Sequence, residues 1–410
     1  MTATSPVTLW NRSFVIWWLG SAQSAFGTAL SGIATSFLIL HQTGSAGQMG
    51  VNLALALLPG LLSPLFGTVV DQLPLRVPLM VGNVLRGVIQ LGVGIAALRG
   101  AVPLEIIYAA SFLTGLVGAF YGPAAMGVTP RLVPPGQLQR ATGLMQGGTQ
   151  TMQLVGMVGG GVLVGTLGSA PALVVDGACF LIFAALLLVT LPARAGVTAS
   201  ERFWPAFRAG LTYARRSPLI LGLPVLTFLL NASFAPMDVL LPGHMEGLGE
   251  GAAGFGLFFG LLLGGLAVGS LGLAALGSRV DVRRLSVAGL VGMGVTILGL
   301  SATQTAGQMY VLAPLLGLAN AATNVSIGVI FQRRIASEFY GRVGSLMTMV
   351  GMAGMPLVLL ALASVADRVT LGTVFGVSGV VTVLAAGAWT ALLRRDPLPA
   401  PEVSAQSAPV

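Results

Sequence analysis

The 410 residues are 55% hydrophobic and 8% charged, against roughly 25% charged in soluble globular domains, so the chain reads as an integral membrane protein. Segments of about ten residues alternating apolar and polar, the mark of a membrane β-barrel, do not occur. A net charge of +8 does not point to nucleic acid, because the 20 basic residues, all arginine, lie scattered between apolar runs rather than on one soluble face.

A helix needs roughly 20 residues to cross a bilayer core. The first apolar run, 14–40, is too long for a cleaved signal peptide and is preceded by the single basic residue Arg12; it carries the polar residues Gln23, Ser24 and Thr28. The second, 48–70, leads into "LSPLFGTVVDQLPLRVPLM", where Gly67, Asp71 and Arg76 interrupt the apolar pattern. The third, 77–98, contains Arg86, ten residues beyond Arg76 and so about 15 Å further along a helix, near mid-membrane. A charge there is a functional candidate. Arginine keeps its proton, so Arg86 would bind an anion or hold a carboxylate rather than carry a proton; Asn83, Gln90 and helix carbonyls are its structural alternatives.

The fourth and fifth runs are 103–127 and 141–167, the latter with Gln146, Gln150 and Gln153 spaced for one helix face. The sixth, 171–193, holds Asp176 near its outer end and the lone Cys179, which rules out an intramolecular disulfide. Residues 194–217 form the longest polar connection. Within it Trp204, Phe207, Leu211 and Tyr213 fall opposite Arg202, Arg208, Arg215 and Arg216, the pattern of an amphipathic helix at the membrane surface. Six further runs follow: 218–241, 252–277, 285–303, 309–331, 343–366 and 371–393. They contain Asn231, Asp238 near the outer end of the seventh, and Asn320 and Asn324 in the tenth. Asp176 and Asp238 are candidate proton or substrate groups, and the polar residues candidate cavity lining, with inter-helix hydrogen bonding as the alternative.

The expected fold is therefore all-α with twelve transmembrane helices. Seventeen arginines fall in the connections and tails on the side of the N-terminus, and only Arg99 and Arg368 in the others; this positive-inside bias predicts that both termini are cytoplasmic. The two halves echo each other. "RLVPPGQLQRATGLM" (131–145) and "RRIASEFYGRVGSLM" (333–347) lie 202 residues apart and align Arg131 with Arg333 and Arg140 with Arg342. The expected organisation is a six-helix bundle at 1–193, a linker at 194–217, a second six-helix bundle at 218–395 and a disordered tail at 396–410. Duplicated parallel halves are an architecture of secondary transporters. No glycine-lysine phosphate loop is present, and His41 and His244 are isolated, so neither enzyme chemistry, a cofactor nor a metal site is expected.

With Gly67, Asp71 and Arg76 between the second and third runs, the sequence resembles the major facilitator superfamily over nearly its whole length. "TGSAG" (43–47), "VVDGACFLI" (174–182), "GLTYARRSPLI" (210–220) and "FQRRIASEFYGRV" (331–343) resemble its drug- and siderophore-efflux branch. The resemblance implies a multi-pass transporter of the cytoplasmic membrane, monomeric, exporting small amphipathic or hydrophobic cargo by alternating access, with proton antiport as one form of coupling. It also implies a cytoplasmic gate built from Gly67, Asp71 and Arg76 with Arg131, Arg140, Arg333 and Arg342. The departures are Gln72 and Leu75 where the family places basic residues, Thr28 where relatives carry an aspartate, and Met157 after Gly156 in the fifth-helix antiporter signature. An ion-independent uniporter or lipid flippase is the alternative of the same fold, and a non-transporting membrane scaffold or sensor the alternative of a different class.

Overall fold

The computed structural model describes residues 9–70, 73–74, 76–190, 203–215, 217–276, 280–335 and 339–395. Asp71, Gln72 and Leu75, the linker residues 194–202 and the 396–410 tail lie outside them. The described chain is helical: α1 (Arg12–Thr43), α2 (Ala46–Leu57), α3 (Ser63–Val70), α4 (Arg76–Arg99), α5 (Leu104–Met126), α6 (Thr129–Leu132), α7 (Leu138–Leu167), α8 (Ser169–Thr190), α9 (Phe203–Ala214), α10 (Pro218–Gly247), α11 (Gly251–Leu276), α12 (Val282–Ser301), α13 (Ala306–Arg334), α14 (Tyr340–Ala363) and α15 (Leu371–Arg395). Several helix starts carry polar caps. Asn11 accepts from Phe14 N at 2.9 Å at the head of α1, and Thr305 with Gln308 forms a capping box on α13.

Eleven of the described helices are long and apolar enough to cross a membrane. The expected second span is not one continuous helix. It is α2, a 3-10 turn at Leu58–Leu62 and α3, because Pro59 removes a backbone donor and its ring crowds the preceding turn. The helix α9 precedes the second half and packs its Leu211, Tyr213 and Ala214 against α14, with Tyr213 stacked on Phe339 at 4.2 Å.

Helix pairing repeats between the two halves. In the first, α1 packs on α7 and α8, and α4 on α8; in the second, α10 packs on α14 and α15, and α12 on α15. Close approach is repeated at equivalent glycines. A Cβ at Gly87 would stand 3.0 Å from Gly177 O across the α4–α8 seam, and one at Gly294 would stand 3.1 Å from Gly379 O across the α12–α15 seam. Small residues let helix backbones approach where lipid offers no hydrophobic drive for association.

The same symmetry appears at the arginine-rich end. Arg76 at the head of α4 donates to Leu188 O at the end of α8 (2.8 Å), and Arg283 at the head of α12 donates to Leu393 O at the end of α15. Each guanidinium satisfies a terminal carbonyl at the negative end of a helix dipole.

Candidate functional site

The two halves meet at the arginine-poor end. His41 at the end of α1 pairs with Glu246 at the end of α10 (2.9 Å). Asp367, between α14 and α15, accepts from Ser45 Oγ (2.6 Å) and from Gly47 N in the first turn of α2 (3.2 Å). Below these, Phe37 lies edge-on to Phe255 with centroids 5.9 Å apart. Alongside, α7 crosses α11 with almost no space between backbones: a Cβ at Gly161 would stand 3.0 Å from Gly256 Cα. One continuous core cluster joins Leu30, Ile33 and Phe37 of the first half to Met237, Phe255 and Phe258 of the second.

Beneath this seal is a cavity of about 830 Å³, within the range that holds a drug-sized molecule. It runs from Ile33 and Phe255 down to Trp17, Met126, Pro130 and Leu138 at the arginine-rich end, where Met126 is 82% exposed. The wall from α1 is a stripe at helical spacing, Trp17, Ser21, Ser24, Thr28, Gly32 and Ser36; that from α7 is Leu138, Thr142, Met145, Gln146, Thr149, Gln153 and Met157. Tyr121 and Ala125 close the side from α5. The surface is mainly apolar and aromatic, with a polar line of hydroxyls and amides. Asp238 of α10 is the one carboxylic acid among the described residues that line it, and its carboxylate has no hydrogen bond or ion pair among them.

The candidate residues divide accordingly. Thr28, Gln146, Gln153 and Asp238 face the cavity. Gln150 shares a helix with Gln146 and Gln153 but is turned off that wall, its place taken by Thr149. Gln23 ties α1 to α8 by donating to Cys179 O (3.3 Å), Asn231 donates to Thr227 O within α10 (3.0 Å), and Asn324 donates to Asn320 within α13. None of these four lines the cavity.

Asp176 is not a water-facing helix-end carboxylate. It is 0% exposed, packed between α8, α1 and α4, with Gln90 donating to Oδ2 at 3.1 Å. Arg86 lies between the rings of Tyr121 (5.0 Å) and Phe180 (5.6 Å), and its Nε has no partner among the described residues. Asn83 does not satisfy it, since that amide donates to Leu79 O within α4 (2.7 Å). Of the proposed gate residues, Arg76 holds the end of α8, Arg131, Arg140 and Arg333 are exposed, and Arg342 lies over the Phe339 ring at 5.6 Å. The stripe members Ser21 and Ser36 were missed in the sequence. Spacing of three and four along α1 is the signal that selects Ser21, Ser24 and Thr28 over Gln23.

The family model described as Major Facilitator Superfamily matches residues 17–279. The chain belongs to the major facilitator superfamily. It is thus a multi-pass membrane transporter, and its inter-half cavity is the candidate transport site. It is 25% identical over 386 residues to macrolide efflux protein A of Streptococcus pyogenes, covering 91% of this chain and 94% of that one. It is 26% identical over 364 residues to the multidrug efflux pump Tap of Mycobacterium tuberculosis, covering 86% of each. Among solved structures, the transporter superposes on the nucleoside transporter NupG with a TM-score of 0.77 at 11% identity, covering 94% of this chain and 100% of that one. A bacterial homologue of the human lysosomal transporter Spinster, in an inward-facing and unoccupied conformation, gives a TM-score of 0.72 at 12% identity, covering 93% and 96%. At these identities the structural likeness concerns the fold.

Proposed function

We propose that this transporter exports small amphipathic or hydrophobic molecules across the cytoplasmic membrane by alternating access. The observation that carries the reading is the cavity between the halves, reaching the arginine-rich end and sealed at the other by contacts between α1 and α10, α2 and α14, and α7 and α11. The positive-inside bias assigns the arginine-rich end to the cytoplasm. On that reading the conformation described is inward-open, both chain ends are cytoplasmic, and α2 with α3 supplies the twelfth crossing. Export, rather than uptake, is supported by the efflux relatives.

The mainly apolar wall with Trp17, Tyr121, Met145 and Met157 suits adaptable hydrophobic recognition. Asp238 gives the cavity a single negative pole, available to a proton or to a cationic group of the cargo. Ethidium efflux from proteoliposomes tests the reading. A pH gradient of the correct sign should accelerate it, and Asp238→Asn should remove the acceleration while ethidium still binds. Flux that ignores the gradient in the unaltered protein would instead support the ion-independent uniporter or flippase, which the uncharged Thr28 on the α1 wall favours. A scaffold or sensor has no evident use for a cavity walled by both halves.

A further inference from the structure

Asp176 and Arg86 are opposite charges on adjacent helices, α8 and α4, that do not meet. Among the described residues they form no ion pair, Asp176 Oδ1 accepts no hydrogen bond, and Arg86 Nε donates none. A buried charge with unused hydrogen-bonding capacity is costly, and a direct pair would relieve both groups. The two helix backbones are already in close contact, so they cannot bring the charges together by approaching further. A Cβ at Gly87 would already stand 3.0 Å from Gly177 O, and one at Gly94 only 2.9 Å from Val174 N. Only the long Arg86 side chain can cross the gap, and it is held instead between two rings. One of those rings, Tyr121, is also a wall of the cavity.

The carboxyl has a second neighbour of consequence. Asp176 Oδ1 occupies the space that a side chain at Gly27 of α1 would need. The next residue, Thr28, faces the cavity, and the far end of α1 makes the Phe37–Phe255 and His41–Glu246 contacts with the other half. The polar α1 side chain beside this carboxyl is Ser31, whose hydroxyl donates to Thr28 O at 3.3 Å.

We propose that Arg86 and Asp176 are a switched charge pair that ties occupancy of the cavity to the position of α1. In the conformation described, Tyr121 holds Arg86 and the pair is open. Cargo pressing on Tyr121 releases the guanidinium, which pairs with Asp176 and draws the carboxylate off Gly27, so that α1 repacks against α8 and its contacts with the second half change. The proposal rests on the alternating-access reading and adds its internal linkage. Arg86 and Asp176 act on cargo through Tyr121 and α1 and are positioning residues.

The test is epistasis on conformation and needs no identified cargo. In full-length protein in nanodiscs, with Cys179→Ser, spin labels at Gln139→Cys and Gln332→Cys report the width of the arginine-rich mouth. Tyr121→Ala should free Arg86 and raise the mouth-closed population roughly fivefold or more, the lower end of ordinary coupling. Arg86→Gln or Asp176→Asn in the same chain should each cancel that rise, while Tyr121→Phe, which keeps the ring, should leave the populations unchanged. A Tyr121→Ala effect that survives either charge removal overturns the proposal, as does the absence of any Tyr121→Ala effect. Two independent charge removals keep the test decisive if one variant fails to fold. A mouth width fixed in every variant and in unaltered protein, with or without ethidium, would refute the alternating-access reading itself.

Discussion

The α7–α11 crossing makes a quantitative prediction. At Gly161 an added Cβ would stand 2.5 Å from Ala252 O, 3.0 Å from Gly256 Cα and 3.2 Å from Gly256 N. Carbon atoms want about 3.5–4.0 Å, so valine forces two helix backbones apart by roughly 0.5–1 Å. Overpacking of this kind costs about 1–3 kcal/mol. The cost falls on the conformation in which the arginine-poor ends are closed together, and is relieved when they part. Gly161→Val should therefore shift the equilibrium toward the opposite-facing state by roughly 5- to 150-fold. Spin labels at Thr43→Cys and Gln304→Cys, both exposed at the arginine-poor end, measure it as growth of a longer distance. Gly165→Val is the control, since its Cβ would meet Ala253 only at 3.7 Å, and should do little. A lowered melting temperature with an unchanged distance distribution for Gly161→Val would refute the reasoning, because the crossing would then be a static seam in both states.

Other outcomes follow from the same contacts. Asp367→Asn removes the charge that accepts from Ser45 and the first turn of α2, and should move the same label pair in the same direction by about threefold to tenfold, equivalent to about 1 kcal/mol; an unaltered distribution would make it a surface ornament of the seal. Trp389→Phe deletes the buried Nε1–H donated to Ser286 Oγ at 3.0 Å between α15 and α12. It should cost about 1–2 kcal/mol of stability, read as a lower melting temperature in detergent with ethidium transport retained. No change in melting would mean that the bond contributes nothing net.

Much of the helix map was legible because each crossing segment answers to the bilayer by its own composition. The exception was not read from the sequence, where 48–70 is expected as one span; in the structure Pro59, beside Gly60, lies where that run breaks into α2 and α3. The repeat could be read from Arg131/Arg333 and Arg140/Arg342, yet the structural repeat it heralds is carried by other residues, the Arg76–Leu188 and Arg283–Leu393 bonds and the paired glycine seams. Gln23 and Ser24 are neighbours of similar polarity, and nothing local says which faces the cavity. A rotation of about 100° per residue separates them.

Apolar length, charge asymmetry and duplication are properties of the chain itself, and the sequence determined from them a helical membrane protein in two related halves. Which helix face meets a partner, and which a cavity, was decided only by tertiary packing. In water the hydrophobic stripe of a helix announces its buried side, but lipid is as apolar as a protein core and leaves no such stripe to read. So it took the packed bundle to bury Asp176 against Gly27, to set Arg86 behind Tyr121, and to leave Asp238 as the one carboxylate among the described residues of the cavity wall.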